Sequence, residues 1–114
     1  MALLKNIKYP NGTETNYHKI SEIKIVPFTK TVMVTPASSP EEIPVYETLR
    51  LYRVEMVVRS YVSQDIRDDS EYNYLAIKKY DKEAIPEEME STPIMKLAYD
   101  ALKLVPDFEG AEDI

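Results

Sequence analysis

The chain has no cysteine and no tryptophan, one histidine and two glycines in 114 residues. Without thiols there is no disulfide framework, no thiolate metal site and no thiol nucleophile, a lack that fits synthesis in a reducing cytoplasm. Gly12 and Gly110 are too few and too far apart for a P-loop or a dinucleotide fingerprint, where glycines let backbone amides approach phosphate. No apolar run approaches the roughly 20 residues of a membrane-spanning helix. The start, MALLKNIKYP, lacks the apolar stretch of a secretory signal. The expectation is a soluble protein with no membrane partner.

Positive charge is also scarce. The net charge is −6, with a balance of +3 over residues 1–35 and −9 over residues 36–114. Phosphate backbones are held by Lys and Arg patches through counterion release, so no nucleic-acid partner is expected. The lysines of the N-terminal part read as the solvent face of hairpin strands.

What is present points to β structure. Residues 47–63, ETLRLYRVEMVVRSYVS, alternate and then change phase: Leu49 and Leu51 fall on odd positions, Tyr52, Val54, Met56 and Val58 on even ones. Strand side chains alternate between faces, so this phase change requires a bulge or a strand wanted on both faces. The opposite face in the second half carries Arg53, Glu55, Val57 and Arg59, suited to water or to another protein's surface. Upstream, residues 3–9 and 16–28 flank Pro10-Asn11-Gly12-Thr13 and predict an antiparallel hairpin, since Asn and Gly tolerate the positive φ of tight turns. Residues 29–35 (TKTVMVT) predict a third strand, with Pro27 marking a bend or an edge position.

The remaining segments are read in the same way. Residues 36–44 (PASSPEEIP) predict an exposed loop, residues 64–71 a charged turn, residues 72–80 (YNYLAIKKY) a strand, and residues 81–91 an acidic loop. A helix is predicted over residues 93–104, with Thr92 as N-cap, Pro93 at the first helical position and Ile94, Leu97, Ala98, Ala101 and Leu102 on one apolar face. Val105-Pro106 ends it. Residues 107–114 form an acidic tail that Phe108 anchors to the body. The expected fold is a single α+β domain over residues 1–114, mainly an antiparallel sheet of about four to five strands with one C-terminal α-helix.

No chemical site emerges. His18 has no Ser-Asp arrangement near it in sequence and reads as a structural or exposed histidine. Asp65, Asp68, Asp69 and Glu71 form the densest acidic cluster, but a calcium loop needs a glycine for its sharp turn and this segment has none; Glu87, Glu88 and Glu90 read as solubilising charge. The expectation is therefore a non-enzyme, with no catalytic, cofactor or metal-binding residue and no cofactor. Nine tyrosines stand against two phenylalanines, and a ring with a polar tip suits half-exposed sheet surfaces and interfaces. Tyr72, Tyr74 and Tyr80 share one face of the predicted strand, and Tyr52 joins them if the strands pair. These four are the interface candidates, whether they pack within the domain, against a partner or both. Several strands imply edges to be covered, and an oligomer is one way to cover them.

Three blocks carry a resemblance: NGTETNYHKI (residues 11–20), VRSYVSQDIR (58–67) and AYDALKLVPDFEGAEDI (98–114). In that order, a hairpin with a tyrosine-histidine pair, a strand ending in tyrosine and a short helix running into a phenylalanine-containing acidic end, the chain resembles small late-operon proteins of tailed phages of Gram-positive bacteria. Residues 36–44 fall outside the resemblance and look like an insertion. The resemblance implies a virion structural or assembly component of the tail, baseplate or neck, made in the host cytoplasm and located in the virion. It also implies partners among copies of itself or other virion proteins, and it assigns no functional residues. The alternative expectation is a small acidic phage regulator or inhibitor that binds a host protein, motivated by the −9 balance of residues 36–114.

Overall fold

The computed structural model describes residues 1–35, 43 and 45–114. Five strands, β1 (Leu3–Lys8), β2 (Glu14–Thr35), β3 (Val45–Tyr61), β4 (Ala76–Ala84) and β5 (Glu112–Asp113), form one antiparallel sheet of order β4-β3-β2-β1-β5. Among the described residues three helices accompany it: α1 (Gln64–Asp69), α2 (Pro86–Ser91) and α3 (Ile94–Lys103). A 3-10 turn, Pro106–Phe108, follows α3. The α+β, mainly antiparallel architecture agrees with the sequence expectation. The predicted loop over residues 36–44 lies outside the described residues apart from Ile43.

The turn after β1 forms as its residues dictate. Gly12 has φ +87°, and the Asn11 side chain accepts from the Thr13 N–H at 3.1 Å. The hairpin's second strand does not stop at Phe28, however: β2 runs unbroken for 22 residues, so the predicted third strand is its continuation. Pro27 does not end it but occupies an edge position, one of the two readings the sequence offered. The Ser60 carbonyl accepts from the Leu75 N–H on the β4 side, while the Val57 carbonyl accepts from Ser21 Oγ on the β2 side. Antiparallel alternation then turns the backbone groups of Tyr52 toward β4. Pro27 pairs with Tyr52 in a non-hydrogen-bonded position, and its missing N–H falls on the outer side of β2. The pairing of β1 with β2 ends at His18, so that side is an open edge where proline costs no ladder bond.

The phase change of β3 also has a different origin from a bulge in that strand. The register between β2 and β3 is continuous from Glu22–Val57 to Met33–Tyr46. Leu51 and Val54 therefore point to opposite faces, and both are buried. The bulge is in β2, at Ser21, between the pairs Ile20–Val58 and Glu22–Val57. It moves the apolar phase of β2 from even (Ile20) to odd (Ile23, Ile25), keeping all three on the face of Val54, Met56 and Val58.

That face holds the main core. Val54, Met56 and Val58 pack with Leu3, Ile20, Leu97, Ala98, Tyr99, Leu102 and Phe108, and each large apolar side chain so covered contributes about 1.5–3 kcal/mol. A smaller cluster of Ala2, Tyr17 and Tyr61, with Leu4 and Tyr74 against it, stands apart from the main core.

Local assignments around the helices need correction. Residues 64–69 are not a turn but helix α1, whose N-cap Ser63 accepts from the Ile66 N–H at 3.4 Å. The acidic loop over residues 81–91 is instead the end of β4 and helix α2, with Pro86 in the first turn where its missing N–H is free of cost. Thr92 is not the N-cap of α3: its N–H closes α2 on the Glu88 carbonyl, and the first bond of α3 runs from the Leu97 N–H to the Pro93 carbonyl, so Pro93 takes the cap position. The C-terminal end is ordered against the body, since Phe108 is buried and β5 pairs with β1.

Candidate protein-contact surface

The molecule is long and thin, 65 × 32 × 21 Å, because β2 and β3 outrun their neighbours. On β3, pairing with β4 stops at Tyr52, and among the described residues no strand pairs residues 45–51 on that side. On β2, pairing with β1 stops at His18. Seven residues of β3 and their partners on β2 thus form a two-stranded arm, roughly 23 Å long at the rise of an extended chain. A two-stranded ribbon has little core of its own. The arm nevertheless carries apolar side chains on both faces. Met33 (49% exposed) pairs with Tyr46 (57%) on the helix-bearing face, while Phe28, Val32, Leu49 and Leu51 lie on the other. The Arg53 guanidinium sits 5.2 Å from the centre of the Phe28 ring. Pro27, Phe28, Leu51 and Tyr52 help line an open depression of about 270 Å³ at the root of the arm.

The four tyrosine candidates are not one surface. Strand β4 begins at Ala76, so Tyr72 and Tyr74 precede it, in the segment after α1. They flank Arg59, whose guanidinium lies 5.4 Å from the Tyr72 ring centre and 4.9 Å from that of Tyr74. Tyr72 is 70% exposed and Tyr74 is half-buried against the Tyr17–Tyr61 cluster. Tyr80 is on the core face, pairing with Met56 and tilted against Phe108 at 5.5 Å. Its hydroxyl donates to Asp107 Oδ2 at 2.8 Å, and Lys78 Nζ meets the same oxygen at 2.8 Å. These bonds hold the Asp107 carboxyl below its ordinary pKa, Lys78 acting most strongly, while burial and the neighbouring carboxylate push the Tyr80 phenol up. Tyr52 shares the sheet face of Tyr80, four pairs further along from Met56, and is half-buried at the root of the arm.

His18 is fully buried. Its Nε2 lies 2.7 Å from the Lys5 carbonyl and its Nδ1 2.7 Å from Ser60 Oγ, with the Phe108 ring edge-on at 5.0 Å. A carbonyl only accepts, so Nε2 carries the proton; burial lowers the pKa and keeps the ring neutral, and Nδ1 therefore accepts from the Ser60 hydroxyl. Ser60 also lines a cleft of about 340 Å³ with Tyr9, Ile77, Tyr80, Asp107 and Phe108 among its walls. The contact of histidine with serine was invisible in sequence because 42 residues separate them; the register of β2 on β3 brings them together. Their mutual hydrogen bond satisfies two buried polar groups.

No family model, curated protein or solved structure matches this chain. The surface must therefore be read from its own geometry. Asp65, Asp68 and Asp69 lie exposed on α1 and Glu71 just after it. Among the described residues no group of three or more acidic or histidine side chains is arranged to hold a metal ion. No helix among them is long and apolar enough to cross a membrane. Sequence reasoning missed the arm itself. The signal was available: residues 28–35 continue the β-branched pattern of β2 with no glycine or asparagine to turn the chain, and only Pro27 suggested a break.

Proposed function

We propose that the chain is a phage virion structural or assembly protein, of tail, baseplate or neck, that works through protein–protein contacts. The observation that carries the reading is the arm: two strands projecting beyond the rest of the sheet, paired on neither outer side by any described strand and bearing apolar side chains on both faces. Such an element gains its stability from a neighbour. The resemblance of residues 11–20, 58–67 and 98–114 to small late-operon phage proteins supplies the setting, and a helical body with an ordered acidic end supplies a platform from which the arm projects. The test is mass spectrometry of purified particles from the source phage, together with deletion of the gene. The expected result is the protein in the particle and arrested assembly in the deletion; absence from the particle with normal assembly in the deletion overturns the reading.

The acidic-regulator alternative draws less support. A mimic of nucleic-acid charge presents free carboxylates along one face. Here Glu83, Glu88, Asp100, Asp107 and Asp113 each lie within 4 Å of a lysine ammonium, which takes them out of any row of free carboxylates.

A further inference from the structure

Three stretches of open sheet edge differ in how they are guarded. The outer edge strand β4 carries Lys78, Lys79 and Lys82, and the open side of β2 carries Pro27 with Lys24 and Lys30. Charge, lysine above all, and proline are the devices that stop strand edges from pairing with other chains. The free side of β3 over residues 45–51, VYETLRL, has neither lysine nor proline, and its two charges, Glu47 and Arg50, are of opposite sign. By the alternation fixed at Ser60 and Val57, the N–H and C=O groups of Tyr46, Thr48 and Arg50 point away from β2, into the space beyond the end of β4.

We propose that this edge, the least guarded of the three, pairs with the same edge of a second copy of the chain, antiparallel about a two-fold axis at Thr48. The arrangement makes a continuous β2-β3-β3-β2 ribbon from two arms. The sequence is complementary to itself in this register. Tyr46 of each copy faces Arg50 of the other, an aromatic ring against a guanidinium. Thr48 faces Thr48, Val45 faces Leu51 and Glu47 faces Leu49, so no like charges stand directly opposite. The outward backbone groups of Tyr46, Thr48 and Arg50 become the hydrogen-bonded pairs, and the half-exposed Val45 and Tyr46 are covered. A two-fold contact of this kind closes on itself and leaves the helix-bearing body free for other partners. The inference uses the arm as a contact surface, as in the preceding reading, but does not depend on the contact being made in a virion.

The chain's lack of cysteine allows a register-specific test. Residues facing each other in a hydrogen-bonded pair have Cα atoms about 5.5 Å apart, within disulfide reach, whereas a residue offset by two from its own copy is not. In the full chain, Thr48→Cys is expected to give a disulfide-linked dimer on mild oxidation, and Glu47→Cys is expected to remain largely unlinked. Light scattering of the unmodified protein across 10 μM to 1 mM is expected to show a dimer. Thr48→Lys, which sets two ammonium groups against each other, is expected to raise the dimer dissociation constant at least tenfold with an unchanged circular dichroism spectrum. Thr48→Pro is the second variant: it removes an N–H that points away from β2, so the arm keeps its own ladder while the dimer weakens. A monomer at 1 mM, or a dimer that Glu47→Cys links and Thr48→Cys does not, overturns the proposal. Self-pairing and the virion reading fail separately. A monomer found in particles removes the first alone, and a Thr48-centred dimer absent from particles that assemble without it removes the second alone.

Discussion

The Tyr99 hydroxyl accepts a hydrogen bond from the Ile20 N–H at 3.0 Å. Ile20 lies just past the end of the β1–β2 pairing and just before the Ser21 bulge, so its outward N–H has no strand to meet. Helix α3 supplies the acceptor instead, and the same hydroxyl donates to the Met1 carbonyl at 2.9 Å. One phenol thus stands in for a missing strand and fixes the helix on the sheet. Tyr99→Phe keeps the ring and leaves a buried N–H unpaired, which costs about 1–3 kcal/mol. Urea denaturation is expected to show that loss with an unchanged slope; a loss below about 0.5 kcal/mol would mean water replaces the hydroxyl.

His18 makes stability depend on pH with a definite sign. Its neighbours are the Lys5 carbonyl, the Ser60 hydroxyl and the Phe108 ring, none of them anionic, and burial lowers its pKa below the ordinary 6.5. The folded state therefore binds fewer protons than the unfolded one once pH drops below 6.5. The stability contributed by the neutral ring is fully present above that pH and is lost as pH falls toward the folded-state pKa. The melting temperature is expected to fall between pH 7 and pH 5 in the unmodified chain. In His18→Gln, less stable at pH 7, that slope is expected to be much flatter. Equal slopes in the two proteins would assign the effect to other groups. The depressed Asp107 carboxyl acts in the same direction but in a lower window, as pH falls through and below the ordinary carboxylate range.

Phe108 is where the C-terminal end is held. It is buried, edge-on to His18 and tilted against Tyr80, and the 3-10 turn that presents it is followed by β5 pairing on β1. Phe108→Ala is expected to cost about 3–5 kcal/mol, the range for removing a buried aromatic ring, and to increase protease cleavage after residue 108. Asp107→Asn, which breaks an exposed contact with Lys78 while leaving the ring in place, is expected to cost under about 1 kcal/mol. Similar costs for the two variants would show that the polar contact, not the ring, holds the segment.

How far the sequence could be read follows from where each signal was local. The Asn11-Gly12 turn, the alternation of Val54, Met56 and Val58, and the 3.6-residue spacing of Leu97, Ala98, Ala101 and Leu102 are short-range patterns, and each appears where expected. Helices α1 and α2 escaped because six-residue helices rich in Asp and Glu show no apolar stripe; the Ser63 cap and Pro86 were the legible cues. The arm escaped because a third strand was read after Pro27, although the edge position that the same proline offered lets one strand run through it. Whether a proline ends a strand depends on which side of the ladder its nitrogen faces, and that is set by a partner strand some 25 residues away. The placement of Tyr72 and Tyr74 failed for a similar reason: both flank Arg59 on β3, which gives them a packing role outside a strand.

Pro27 itself yields the last prediction. Its nitrogen faces the open side of β2, where an ordinary residue would offer an N–H in the middle of a 17-residue stretch that no described strand pairs on that side. Lys24 and Lys30 flank it, but their side chains lie on one face and leave the backbone groups of the edge accessible. If proline is the main guard, Pro27→Thr restores a donor, suits the extended chain and keeps the β2–β3 ladder intact. The folded spectrum and melting temperature are then expected to change little, while light scattering shows species larger than those of the unmodified chain, growing with concentration. Adding Thr48→Lys is expected to leave that growth in place, because it acts on the other edge of the arm. Unchanged size distributions for Pro27→Thr would mean that the lysines alone keep this edge apart, through repulsion that 1 M salt would then screen.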